Sequence, residues 1–82
     1  MDRLVVCVDT DRDFASKLAD VARDAGWEAR ALTSFEDARA EVGAAYPKLV
    51  VAALKLGTFN GIHLAYFARR AHAGAHVIVY GQ

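Results

Sequence analysis

Three short runs of wholly apolar residues constrain the fold of this chain more than any other feature. They cover residues 4–8, 49–54 and 77–80, and most of their side chains are aliphatic. A membrane-spanning helix needs about 20 consecutive apolar residues, so none of the three runs is long enough. Continuous apolar runs of this length, bounded by turn residues, predict strands that are covered on both faces, as in a parallel sheet.

The segments between these runs have apolar residues at helical spacing. They extend from Asp11 to Gly26, from Ser34 to about Gly43, and over residues 62–72. Thr10 or Asp11 can cap the first helix, and Ser34 can cap the second. A more polar segment, residues 28–33, predicts one further strand. The resulting order β-α-β-α-β-α-β predicts a single α/β domain, residues 1–82, with a parallel sheet flanked by helices. Asn60 and Gly61 precede the third helix, and we expect a tight turn there with Gly61 at positive φ.

Charge and cysteine content narrow the classes of function. Ten Lys and Arg residues balance ten Asp and Glu residues, and the sequence pI is about 6.8. This balance argues against a basic groove for nucleic acid and against a polybasic surface for membranes. Met1 is followed by Asp2, with further acids soon after, so we expect no signal peptide. The single cysteine, Cys7, cannot form an internal disulfide and is expected in the core of a cytoplasmic protein.

Four motifs occur in the order and spacing of one known family. They are LVVCVDTDRDF from residue 4, AGWEA from residue 25, YPKLVV from residue 46 and FNGI from residue 59. In these motifs the chain resembles, over nearly its whole length, the receiver domain of response regulators. The resemblance implies a flavodoxin-like, three-layer α/β sandwich with strand order 2-1-3-4. A complete receiver has five strands, so this chain is expected to supply an incomplete version of the fold.

The family's chemistry is only partly represented. Receivers accept a phosphoryl group from a histidine kinase onto an aspartate beside Mg²⁺, and the resemblance places that acceptor at Ala53. Asp9 retains one acidic position, Thr10 replaces the second, and Asp11 matches a third acid that is not a main metal ligand. Gly81 stands where a hydroxyl residue is expected, and the family's lysine has no counterpart. The chain is therefore predicted to be a degenerate receiver that is not an enzyme and uses no Mg²⁺ or other cofactor.

Other interpretations of these residues remain open. Asp9 and Asp11 could hold a divalent ion, although a helix cap beside a solvated acid also explains them. The space around Asp9, Asp11, Ala53 and Gly81 could bind phosphate or another small ligand, which is the alternative function. A third hypothesis is an authentic phosphoacceptor with altered residues. The three histidines, His63, His72 and His76, are expected on the surface rather than around a metal.

The last predicted strand supplies the candidate interface. In the strand order implied by the resemblance this strand lies at an edge of the sheet. Its side chains are apolar, so we expect another segment to bury them. They are Val77, Ile78, Val79 and Tyr80. We expect this strand to pair with its copy in a two-fold homodimer with one continuous sheet. The alternative is that the chain is a piece of a longer protein. The resulting functional prediction is a bacterial two-component signalling module that acts through protein–protein contacts.

Overall fold

A computed structural model describes residues 3–81, so Met1, Asp2 and Gln82 lie outside the described part of the chain. The expectation of no signal peptide falls partly on those residues. Six strands and three helices follow one another within the described range. They are β1 (Leu4–Val8), α1 (Arg12–Asp24), β2 (Glu28–Leu32), α2 (Phe35–Ala45), β3 (Leu49–Ala53), β4 (Lys55–Leu56), β5 (Phe59–Asn60), α3 (Gly61–Ala71) and β6 (His76–Tyr80).

The main sheet is parallel and has the order β2-β1-β3-β6. The predicted fourth strand is therefore β6, and the predicted α/β flavodoxin-like fold with order 2-1-3-4 is confirmed. Residues 55–61 (KLGTFNG) are rich in turn residues, which predicts a loop. That segment instead contains a small antiparallel hairpin, in which Leu56 pairs with Phe59.

Alternate side chains of the central strands point to opposite faces of the sheet, as strand geometry requires. Val6 and Val50 pack in the larger core cluster, under α2 and α3. Val5 and Cys7 pack in the smaller cluster, under α1. All five residues of β1 are buried, which is why that run carries no polar side chain.

Helix starts follow the predicted caps. Asp11 accepts a hydrogen bond from the Phe14 amide, and Ser34 accepts one from Asp37. Each cap satisfies an amide at a helix start that has no partner within the helix. Helix α2 continues two residues beyond Gly43, to Ala45. Its C-cap residue, Tyr46, adopts a left-handed conformation with φ of 50°.

The predicted conformation of Gly61 is wrong. This residue is the first of α3 and is not among the glycines with positive φ. Its lack of a side chain has a different cause. A β carbon at position 61 would lie 2.5 Å from the carbonyl oxygen of Ala53 and 2.9 Å from a methyl group of Val79. Glycine therefore allows α3 to start directly against the ends of β3 and β6.

No helix within residues 3–81 is long and apolar enough to cross a membrane.

Candidate functional site at the carboxyl end of the sheet

The carboxyl ends of three strands meet around a small cavity. Parallel strands end at the same edge of a sheet, and ligands of open α/β sheets bind there. The cavity has a volume of about 300 Å³. Its lining residues come from the segments that follow β1, end β3 and end β6: Asp9, Thr10, Ala53, Leu54, Lys55, Tyr80 and Gly81. We call this space the carboxyl-end pocket.

Asp9 is held by hydrogen bonds to both of its carboxylate oxygens. Oδ1 accepts a hydrogen bond from the Asp11 amide at 2.8 Å, and Oδ2 accepts one from the Tyr80 hydroxyl at 2.7 Å. The backbone amide of Asp9 donates to the carbonyl oxygen of Leu32 at 3.1 Å. The side chain is therefore fixed at the end of β1, with its charge compensated by two donors.

Tyr80 is the residue of this pocket that the sequence analysis assigned only to the dimer interface. Its hydroxyl is directed to Asp9, and its ring makes an edge contact with Phe14 of α1 at 5.7 Å between centroids. Burial raises the pKa of the Tyr80 phenol well above its ordinary value, and the hydrogen bond to Asp9 and the negative charge of that carboxylate raise it further. Tyr80 is thus a neutral donor at neutral pH and occupies part of the space beside Asp9.

Ala53 lies where the resemblance placed the phosphoacceptor. It is the last residue of β3, pairs with Tyr80 of β6, and is only 8% exposed. The next backbone amide, of Leu54, donates to the carbonyl oxygen of Tyr80. Ala53 is therefore held in the wall of the pocket by the sheet, and its side chain offers no oxygen atom.

The other predicted pocket residues divide into two groups. Thr10 and Gly81 line the pocket with Asp9, whereas Asp11 does not. Asp11 lies one step farther along the loop and is used as the cap of α1. Gly81 has φ of +154°, and a β carbon there would lie 2.9 Å from that of Leu54, so this backbone does not accommodate the expected hydroxyl residue without a shift.

Lys55 is a lining residue that the sequence analysis did not single out. It follows Ala53 by two positions and is exposed in the first strand of the hairpin. Its position in the sequence, between the predicted end of the strand and the FNGI motif, could have indicated that it lies near the pocket. Lys55 therefore adds a basic residue to a lining that also includes the acidic residue Asp9.

The residues present do not fit the Mg²⁺ ion that the receiver fold implies. Mg²⁺ prefers several oxygen ligands in octahedral geometry, usually including carboxylates. Among residues 3–81, Asp9 is the only acidic residue that lines the pocket, and both of its carboxylate oxygens already accept hydrogen bonds. Within residues 3–81, no group of three His, Cys, Asp or Glu side chains is arranged to hold a metal ion.

The remaining reactive side chains lie elsewhere. The Nδ1 atom of His63 accepts a hydrogen bond from the Asn60 amide at the start of α3, and the His72 ring packs edge-on against the Tyr46 ring. His76 begins β6 and is exposed. Cys7 is buried in β1, and burial raises the pKa of its thiol, which disfavours the reactive thiolate. None of these residues lines the carboxyl-end pocket.

The predicted interface strand lies at the edge of the sheet. β6 pairs with β3 on one side, and no strand within residues 3–81 pairs with its other side. Ile78 is 54% exposed on the α1 face, while Val77, Val79 and Tyr80 are half-buried. The strand is therefore open at its edge and partly covered on its faces.

Comparison with solved structures identifies the fold. A response regulator from Burkholderia pseudomallei superposes with a TM-score of 0.87 at 22% identity, covering 99% of this chain and 49% of that one. A CheY-like receiver domain from Methanospirillum hungatei also gives 0.87, at 17% identity, covering 100% of this chain and 68% of that one. This chain therefore has the fold of receiver domains and spans about half to two thirds of the length of these two neighbours.

A third neighbour with this fold carries an alanine substitution. It is an Asp-to-Ala mutant of the MaeR response regulator bound to sulfate, with a TM-score of 0.73 at 20% identity, covering 98% of this chain and 67% of that one. No family model matches the chain, and no curated protein matches it.

Proposed function

We propose that this chain is a non-enzymatic regulatory module that acts through contacts with other proteins and without phosphorylation. The observation that carries this proposal is the side chain at the end of β3. The resemblance assigns the acceptor carboxylate to position 53, and Ala53 has a methyl group there, at the end of β3 in the carboxyl-end pocket. A cytoplasmic signalling setting, as in the two-component systems of bacteria, is part of the same proposal and rests on the resemblance.

The chemistry of phosphoryl transfer supports the proposal. Transfer to a receiver requires an oxygen nucleophile and a cation that neutralises the charge of the incoming group. Ala53 has no such oxygen, and the Asp9 carboxylate is engaged by Tyr80 and by the Asp11 amide. A ligand that needed the Asp9 oxygen bonded to Tyr80 would first have to displace this half-buried phenol. The pocket thus favours a fixed conformation over a covalent switch.

Beryllofluoride with Mg²⁺ tests this proposal, because the reagent forms an acyl-phosphate analogue on receiver aspartates. We expect the amide signals of Asp9, Ala53 and Tyr80 in a ¹H–¹⁵N spectrum to remain unchanged when the reagent is added. Shifts at these residues that disappear in the Asp9→Asn variant would show a functional acceptor site and overturn the proposal. Chloride at equal ionic strength is the control for salt effects.

We further propose that the module forms a two-fold homodimer through β6. The His76 amide donates a hydrogen bond to the Lys48 carbonyl oxygen, and the Tyr80 carbonyl oxygen accepts one from the Leu54 amide. The backbone groups of these two residues of β6 therefore face β3. Backbone groups alternate along a strand, which directs the N–H and C=O groups of Val77 and Val79 toward the open edge. Such unpaired groups are a template for strand addition.

Apolar side chains beside this edge support strand addition by a second copy. Ile62 is 60% exposed and lies on the side of α3 opposite Phe67, which faces α2. Ile78 is exposed on the other face of the sheet. A two-fold axis through the edge brings each of these residues close to its own copy on the same face of one eight-stranded sheet. Pairing therefore satisfies the backbone groups and covers apolar side chains on both faces.

Two substitutions at one position test the dimer. Val77→Pro removes an edge-facing N–H without removing a hydrogen bond to β3, and Val77→Ala removes similar packing but keeps the N–H. We expect the unmodified chain and Val77→Ala to sediment as dimers at micromolar concentration and Val77→Pro to sediment as a monomer. An unmodified chain that is a folded monomer, or a Val77→Pro variant that remains dimeric, would contradict the proposal.

A second candidate function is binding of a small anion in the carboxyl-end pocket. Lys55 and Thr10 supply a positive charge and a hydroxyl group there, and Ala53 leaves space. The MaeR neighbour, whose aspartate was changed to alanine, was solved with sulfate bound. These features favour a sensor of phosphate or sulfate that would use the same pocket without covalent chemistry.

Thermal denaturation distinguishes this candidate. A ligand that binds only the folded chain raises its Tm. Phosphate is expected to raise Tm above that in chloride of equal ionic strength, and Lys55→Gln is expected to abolish the difference. Lys48→Gln, an exposed lysine outside the pocket, is the matched control. An equal Tm in phosphate and chloride would eliminate the anion sensor and leave the protein-contact function as it stands.

A further inference from the structure

A second and larger concave site lies between α2 and α3, away from the carboxyl-end pocket. Its volume is about 810 Å³, within the range of roughly 300–1,000 Å³ that is typical of small-molecule sites. No residue lines both sites. We call it the α2–α3 groove and define it by six of its lining residues: Phe35, Arg39, Ala40, Phe59, His63 and Phe67.

Aromatic rings form much of the apolar surface of the groove. Phe35 of α2 stacks on Phe59 of the hairpin, with 4.3 Å between ring centroids and 12° between planes. Phe59 is nevertheless 41% exposed. The hairpin that presents it turns at Gly57, whose φ of +69° suits glycine. A concave site lined by exposed ring surface fits a flat apolar group, since aromatic rings pack well by offset stacking.

Two small residues of α2 keep the groove open at its end near Phe67. Gly43 of α2 faces the ring of Phe67, and a β carbon there would meet that ring at 3.7 Å. Ala40, one turn earlier, is exposed and lines the groove with a single methyl group. Larger residues at positions 40 and 43 would fill the space between the two helices, so the cavity follows directly from the sequence of α2.

The groove contains a guanidinium and a carboxylate. Arg39 lies over the Phe67 ring at 4.8 Å, and within residues 3–81 it has no carboxylate within salt-bridge distance. Glu36 also lines the groove and precedes Arg39 by three positions on α2. An anionic group is stabilised where it contacts the Arg39 guanidinium.

His63 adds a hydrogen-bond donor. Its Nδ1 accepts a hydrogen bond from the Asn60 amide at 3.2 Å. In the neutral ring the proton is therefore on Nε2, which is a donor. The Asn60 side chain in turn accepts from the His63 amide, so the ring is held by a reciprocal pair of bonds at the start of α3. The groove thus combines aromatic surface, one unpaired guanidinium and one oriented imidazole.

From these features we propose that the α2–α3 groove binds a small planar aromatic molecule that carries a carboxylate. Its ring packs against the side chains of Phe35 and Phe59, and its carboxylate lies on Arg39. The inference does not depend on phosphorylation or dimerisation, because neither Ala53 nor β6 contributes to the groove.

A pair of matched probes tests the proposal. 2-Naphthoate and its neutral analogue 2-naphthamide are titrated against the ¹⁵N-labelled chain, and amide shifts are followed. Both probes are expected to shift signals of the groove residues, with naphthoate binding about five- to tenfold more tightly because of its charged contact. Arg39→Gln is expected to remove the preference for naphthoate over naphthamide.

Two further variants separate the groove from other apolar surfaces. Ala40→Phe fills the groove and is expected to abolish binding of both probes. Ala44→Phe adds the same side chain to an exposed position of α2 outside the groove and is expected to leave binding intact. Shifts that map to the α1 face, equal affinity for the two probes, or no binding at millimolar concentration would each overturn the proposal. Equal affinity would instead point to an apolar segment of a protein partner.

Discussion

The hydroxyl group of Tyr80 donates a hydrogen bond to Oδ2 of Asp9 at 2.7 Å, joining two residues that are 71 positions apart. The bond links the end of the edge strand β6 to the end of β1, across the end of β3 at Ala53. It gives the Asp9 carboxylate a neutral donor from the same chain. The bond therefore holds the ends of β1 and β6 together beside the carboxyl-end pocket.

Loss of this hydrogen bond is expected to lower stability measurably. Tyr80→Phe keeps the ring that contacts Phe14 and removes only the hydroxyl. A hydrogen bond to a charged group is worth up to about 3 kcal/mol, and partial exposure reduces that value, so we expect a loss of about 1 kcal/mol in urea unfolding. Tyr66→Phe is the control, because its hydroxyl serves only an exposed contact with Arg70. Equal effects of the two substitutions would contradict the role given to Tyr80.

The same phenol is expected to make stability sensitive to alkaline pH. The pKa of Tyr80 in the folded chain is raised above the value of 10.0 for the unfolded chain, chiefly by burial and then by Asp9. The unfolded chain therefore loses this proton first as pH rises. The contribution of Tyr80 is complete below about pH 9 and is lost progressively above about pH 10.

Comparison with Tyr80→Phe isolates this effect. The pKa of the Cys7 thiol is also raised by burial, but that group is present in both proteins, so its contribution cancels in the difference. We expect the free energy of unfolding to fall more steeply above about pH 10 in the unmodified chain than in the variant. Parallel curves would show that Tyr80 has the same pKa in both states.

Two glycine-to-alanine substitutions are expected to act in opposite directions. Gly61→Ala would place a methyl group 2.5 Å from the Ala53 carbonyl oxygen, and we expect a loss of about 2 kcal/mol or more. Gly43→Ala meets the Phe67 ring only at 3.7 Å, so the better helix propensity of alanine is expected to stabilise α2 by about 0.5–1 kcal/mol. Urea unfolding of both variants measures the difference, and similar effects would contradict the close approach of α3 to β3.

Restoring a carboxylate at Ala53 is expected to create a response to metal. Ala53→Asp places a second negative charge beside Asp9 in a nearly buried position, so we expect a loss of about 1–2 kcal/mol without metal. Millimolar Mg²⁺ is expected to recover part of that loss, because it binds the folded variant. The unmodified chain and Ala53→Asn serve as controls and are expected to show no change in Tm. A Tm increase of equal size in all three proteins would contradict the assignment of the pocket.

The main elements of the fold could be predicted from the sequence because burial dictates them. The run of residues 4–8 is apolar at every position, which only a strand buried on both faces explains, and the structure covers it with α1 on one side and α2 and α3 on the other. Asp11 and Ser34 were recognisable as caps because their side chains satisfy local amides. These features depend on neighbours within a few residues or on the composition of one element.

Features that depend on contacts between distant residues were missed or misassigned. The bond from Tyr80 to Asp9 requires the register of β6 against β3, which a sequence pattern does not supply. The role of Gly61 was misjudged because the constraint comes from Ala53 and Val79 rather than from the local turn. Asp11 was predicted both as a possible cap of α1 and as a residue of the acidic pocket, and its side chain caps α1 and does not line the pocket.

Intact-mass measurement after incubation with acetyl phosphate and Mg²⁺ tests the central claim most directly. A phosphorylatable receiver in a parallel reaction shows that the reagent is active. The account predicts that the mass of this chain stays unchanged, because the end of β3 offers a methyl group and Asp9 is held by Tyr80. Gain of one phosphoryl group, located by fragmentation to a residue of the carboxyl-end pocket, would contradict it.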